Sequence, residues 1–185
     1  MSTGVATEQR QFTARMRFFH WLTAAMVLTM LGIGLSMVAS LAYYHRLISI
    51  HRPLGILVLI VAVTRYINRR YSTLPPFLPT MPQRERNAAS TSELFLYALL
   101  IAQPLVGWGM LSAARYPIML FGSLHLFPIL PHNAMLYAVL RMAHTVLAYL
   151  LCLTILAHFG AVLFHTWVLR DGIFGRMAPW RVRAR

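Results

Sequence analysis

Histidine is the side chain best suited to chemistry in this chain, and three histidines share one apolar stretch, RMAHTVLAYLLCLTILAHFGAVLFHTWVL, residues 141–169. Read as an α-helix, that stretch advances about 100° and 1.5 Å per residue. The fourteen residues from His144 to His158 therefore return the side chain to nearly the same face about 21 Å further along. Seven more residues bring His165 back to that face. Imidazoles can ligate a metal, relay protons or make hydrogen bonds. A stripe of them at membrane depth is costly enough to call for one of these roles.

The remaining elements must supply partners for that stripe. The chain is 58% hydrophobic and 11% charged, which is the composition of an integral membrane protein and not of a soluble domain. Its net charge of +13 would suggest nucleic acid in a soluble protein. Here the basic residues, all arginines, flank apolar spans, so topology and lipid headgroups account for them and no nucleic-acid partner is expected. The single cysteine, Cys152, lies within an apolar helix and reads as a small packing residue.

Four spans are expected, at about 18–40, 50–67, 93–114 and 141–169, in one membrane domain covering 1–185. The first is too long for a signal-peptide core and reads as a retained helix. Pro53 is placed in the first turn of the second span, where a missing N–H is tolerated. Pro104 should kink the third, and Gly107 and Gly109 should admit a neighbouring helix or a flat ligand. Residues 71–92, with four prolines, read as a surface loop. Residues 115–140 read as a long loop with short helical pieces lidding the bundle. The N-terminus, the loop after the second span and the C-terminus hold thirteen arginines, against four on the opposite loops. The fold class expected is an all-α membrane protein, a four-transmembrane-helix bundle with both termini cytoplasmic.

With that topology His20 and His158 share the inner half, and His51 and His144 share the outer half. Two axial histidine pairs at two depths describe a dihaem site in a helical bundle. A structural zinc or copper site would need ligands converging on one point, and covalent c-type attachment would need Cys-x-x-Cys-His, which the sequence lacks. Two non-covalent haem b groups, each with its iron between two imidazoles, fit best. Arg52 and Arg141 outside and Arg17 inside are candidates to pair with haem propionates, though topology alone accounts for all three. His165 sits where the helix leaves the bilayer. It is read as an interfacial residue, as a proton donor to quinone with Trp167 nearby, or as a replacement for His158 as ligand. His45, His125 and His132 fall on or near the outer loops, where a surface role is the default. Intramembrane histidines also suit a haem-free small transporter that moves protons.

The chain resembles the prokaryotic cytochrome b561 family. The matching stretches are FFHW around His20, ISIHRPLG around His51, and MAHTVLAY with LAHFGAVLFHTW around His144, His158 and His165. The run RRYSTLPPFLP and the third-helix segment IAQPLVGWG are similar as well. The resemblance implies haem ligation by His20, His51, His144 and His158. It also implies electron transfer between an outer-face donor and ubiquinone or menaquinone in the bacterial inner membrane. Some of the family imply superoxide as the donor, which Arg46, Arg52, Arg115 and Arg141 would attract. Related b-type subunits imply a third role, as membrane anchor and relay of a larger oxidoreductase, with a periplasmic or other redox partner.

Overall fold

A computed structural model describes residues 11–120 and 124–180. Its frame is four long helices: α1 (Ala14–Ala39), α2 (Tyr44–Tyr71), α3 (Gln83–Ala113) and α4 (Ala134–Phe164). A 3₁₀ turn, Leu41–Tyr43, joins α1 to α2. Strands β1 (Ile118–Leu120) and β2 (Leu124–Leu126) form an antiparallel pair between α3 and α4, with Met119 opposite His125. A π-helical turn, His165–Leu169, prolongs α4, and a short α5 (Ile173–Met177) follows. All four long helices are long and apolar enough to cross a membrane. Their outer surfaces carry exposed Leu28, Leu35 and Val38 on α1 and Leu153, Leu156 and Phe159 on α4. Apolar side chains on the outside are expected where the surrounding solvent is lipid.

The helices outrun their apolar cores. α3 begins at Gln83, so residues 83–92, read from sequence as loop, are helical. Pro82 stands just before the first turn, where its missing N–H costs nothing, and this lets polar sequence continue the helix beyond the apolar part. α4 begins at Ala134, capped by Asn133, whose Oδ1 accepts from the Leu136 N–H at 2.9 Å. α2 begins at Tyr44, which corrects the reading of Pro53 as a first-turn residue. It is an interior proline that deprives the Ser49 carbonyl of its helical donor. In place of the short helical pieces expected in 115–140, Ile118–Leu120 and Leu124–Leu126 pair as antiparallel strands, and Pro117 and Pro128 at the edges of the segment disfavour a helix there.

Packing follows chain order: α1 lies on α2, α2 on α3 and α3 on α4, the last being the most extensive contact. α4 meets α1 and α2 far more sparsely. At mid-height the four helices share an apolar cluster of Val27, Val58, Ala62, Leu99, Leu100 and Leu151. At one end, where the first and last described residues lie, the chain is stapled by hydrogen bonds from Trp21 Nε1 to the Met177 carbonyl (2.9 Å), from the Phe12 N–H to the Arg176 carbonyl (3.0 Å) and from Arg176 Nη2 to the Pro76 carbonyl (2.5 Å). The other end carries the hairpin, anchored by the Asn133 N–H on the Ala113 carbonyl at 3.1 Å.

Candidate functional site

α4 carries the stripe His144, Leu147, Leu151, Ile155, His158, a face repeating every three or four residues. Leu147, Leu151 and Ile155 lie in or against the mid-height cluster. The two histidines therefore lie on opposite sides of an apolar layer, one toward each end of the bundle.

At the hairpin end, His144 faces His51 of α2. Their ring centroids are 6.3 Å apart and their planes are inclined by 70°. The Nδ1 atoms of both rings are buried without a hydrogen-bond partner. Gly107 of α3 lies beneath His144, where a Cβ would come within 3.1 Å of Cε1 and 3.3 Å of Nδ1. That edge of the ring is thus backed by α3, and Nε2 is directed away from it. Gln103, one turn before Gly107, donates from Nε2 to the His144 carbonyl at 3.1 Å. Pro104 beside it lies inside α3 and leaves the Leu100 carbonyl without its helical donor, and the sequence reading of a proline–glycine face admitting a neighbour finds its partner in α4.

The spacing tests whether a metal group fits. A metal–imidazole bond is about 2.0–2.1 Å, and a five-membered ring with C–N bonds near 1.33 Å has its nitrogens about 1.1 Å from its centre. One metal ion held between two imidazoles then separates the ring centres by roughly 6.3 Å. That equals the observed separation. A two-ligand separation and the backbone approach at Gly107, which leaves Nε2 of His144 as the nitrogen facing away from α3, fit a bis-imidazole group. Among the described residues no three His, Cys, Asp or Glu side chains converge on a point, as a tetrahedral zinc site would need.

At the terminal end, His20 of α1 and His158 of α4 lie close enough for the charge of one to act on the other. Arg65 of α2 reaches the same place, with its Nη2 3.0 Å from His20 Nδ1. The guanidinium also lies over the ring of Tyr97, 5.2 Å from its centroid. Below it, Arg69 makes a two-pronged pair with Glu93, Nε to Oε1 at 2.7 Å and Nη2 to Oε2 at 2.9 Å. Arg65 was not singled out from the sequence. The signal was present, because it follows His51 by the same fourteen residues that separate His144 from His158. α2 therefore offers one polar group at each depth.

The other expected residues divide. Arg52 is next to the hairpin-end pair, its Nη1 3.4 Å from the Pro117 carbonyl and its Nε buried without a partner. Arg141 is exposed, one turn from His144. Arg17 is buried at the terminal end, where Nη1 donates to Gln11 Oε1 (2.6 Å) and the Trp180 carbonyl (3.4 Å), tying the two chain ends together. His165 does not join His20. Its Nδ1 pairs with Asp171 Oδ2 at 2.5 Å, and both side chains are largely buried. The reversal that returns Asp171 is made by Arg170 and Gly172, both in left-handed backbone conformations. Trp167 is exposed, with its carbonyl taken by Arg170 Nε at 3.3 Å. His45 and His125 are exposed, and His132 Nδ1 lies 2.9 Å from the Ala113 carbonyl.

Membrane-length helices that oppose two imidazoles at one end and gather His20, His158 and Arg65 at the other, with an apolar layer between, suit a membrane-embedded electron-transfer protein of the cytochrome class. The chain matches the family described as prokaryotic cytochrome b561 over residues 11–180 and belongs to it, and membership implies haem b binding. It is 37% identical to cytochrome b561 homolog 2 of Escherichia coli strain K12 over 107 residues, 56% of this chain and 57% of that protein. It is 26% identical to cytochrome b561 homolog 1 of the same strain over 174 residues, 92% of this chain and 98% of the relative. A Yersinia pestis protein named probable superoxide oxidase CybB is 31% identical over 166 residues, 86% of this chain and 91% of that one.

Proposed function

We propose that the protein holds two haem b groups, one between His51 and His144 and one between His20 and His158. Electrons would pass along that axis between a donor at the hairpin end and membrane quinone at the terminal end. The observation that carries this reading is the His51–His144 pair, whose rings stand at the bis-imidazole separation of 6.3 Å. Haem, when bound, supplies a one-electron iron couple of tunable potential.

The chain's part is to hold and insulate. α3 fixes the His144 ring from behind through Gly107 and fixes its backbone through Gln103. Val27, Val58, Leu99 and Leu151 keep water out of the layer between the pairs. About 21 Å of helix rise separates His144 from His158, so each site stays near its own end. The arginine distribution supports a cytoplasmic terminal end and an outer hairpin end. His165, with Asp171 as a carboxylate partner, is the residue suited to pass a proton to quinone there.

The CybB relative favours a second version in which the donor is superoxide. Two superoxide ions would each lose one electron to become dioxygen, and one quinone would take both electrons and two protons to become quinol. Arg46, Arg52, Arg115 and Arg141 would supply the attracting field at the hairpin end.

Haem stoichiometry and a reduced-minus-oxidised spectrum of the purified protein test the first statement. One haem per chain, or no haem b signal, rejects it. Quinone reduction measured with superoxide and with a dye donor, at low and high salt, separates the two versions. A rate with superoxide that does not fall with salt speaks against the arginine field.

A further inference from the structure

Arg65 is a half-buried guanidinium in a membrane-length helix, and such a charge is expected to have an anionic partner. The whole chain has four acidic residues, Glu8, Glu85, Glu93 and Asp171. Among the described residues the ion pairs are Arg69–Glu93 and His165–Asp171, and Arg65 belongs to neither. It meets the Tyr97 side chain, over whose ring it lies, and His20 Nδ1, with His158 within reach of its charge.

The second contact constrains chemistry. A guanidinium has donors only, so at 3.0 Å from Arg65 the His20 Nδ1 must be the acceptor, and the ring proton sits on Nε2. A neutral imidazole bound to metal through Nε2 carries its proton on Nδ1 and must donate from there. Two donors then face each other, and the Arg65–His20 hydrogen bond cannot survive ligation.

We propose that Arg65 is a haem-binding residue of the His20–His158 site, its fork leaving His20 Nδ1 on ligation and taking a carboxylate of the haem. A planar fork matches a carboxylate by two parallel hydrogen bonds, and Glu93, the nearby protein carboxylate, is already held in that way by Arg69. The inference rests on the reading of His20 and His158 as ligands.

The test is reconstitution of haem-depleted protein with haem and, separately, with haem dimethyl ester, which lacks the carboxylate charges. Titrations are followed by absorbance for the native chain, Arg65→Gln and Arg65→Lys, all in a His51→Ala background so that only the terminal-end site fills. The expected result is that Arg65→Gln weakens haem binding about tenfold or more and leaves ester binding within about twofold, with Arg65→Lys between. Equal weakening of haem and ester, or of neither, overturns the proposal. Where Arg65→Gln loses its helical circular dichroism, Arg65→Lys decides alone: a reduced preference for haem over ester supports the proposal, and an unchanged preference overturns it. Should the native side chains at 65 and 20 bind no haem in this background, the ligand reading itself fails, which is a distinct outcome.

Discussion

Replacing Gly107 by alanine puts one methyl group against the ring that is proposed to hold haem. The added Cβ would lie 3.1 Å from His144 Cε1 and 3.3 Å from Nδ1, inside ordinary van der Waals contact. Relief requires the ring or α4 to shift by a few tenths of an ångström, and α3–α4 is the most extensive helix contact in the bundle. Overpacking of that kind costs about 1–3 kcal/mol, whereas removing a helix glycine returns about 0.5–1 kcal/mol. The loss therefore wins, and it falls on the orientation of His144. A net cost of about 1.3 kcal/mol at the middle of these ranges, and about 2.5 kcal/mol at most, corresponds to a loss of roughly ten- to seventyfold in affinity for the group His144 holds. The assay is haem content per chain with the reduced spectrum, alongside thermal unfolding. Gly32→Ala is the control, because nothing lies within 4 Å of its added Cβ. Gly107→Ala should lose or loosen one haem selectively while Gly32→Ala keeps both. Full haem content with a Tm raised as in the control would show that the ring has room, and the argument from close approach would be wrong.

Loss of haem should follow the pairing. His51→Ala and His144→Ala should remove the same spectral component, and His20→Ala and His158→Ala the other; shared loss between His20 and His51 variants would contradict the two-depth arrangement. Asn133→Ala removes the cap on the Leu136 N–H and should cost about 1 kcal/mol, read as a lowered Tm with both haems retained. Asp171→Asn keeps a side chain that can still meet the Ile173 N–H, now 3.0 Å from Oδ1, but removes the anion beside His165. It should slow quinone reduction with haem content intact, and an unchanged rate with quinone would leave the His165–Asp171 pair a structural one.

Much of the fold was legible because its signals are local. An apolar run long enough to span lipid specifies a helix, since every backbone group must find its partner within the segment. The fourteen-residue interval on α4 specifies two polar groups on one face without reference to any other helix. Glycines after Pro104 announced a close approach, and that approach is to His144. The helix ends were less legible, because polar residues such as 83–92 carry no apolar period although they are helical. Arg65 escaped notice among arginines that topology explains equally well.

By itself, then, the sequence determined that this is a four-helix membrane protein whose histidines recur at two depths, because composition and helical period require no distant contacts. Tertiary structure alone decided which groups meet. It put His144 at 6.3 Å from His51 and drew His165 away to Asp171. It also brought Arg65 of α2 to His20 of α1, forty-five residues apart in the chain. The physical reason is that a helix's period sets the face and depth of a side chain, whereas the crossing of helices sets what stands opposite it.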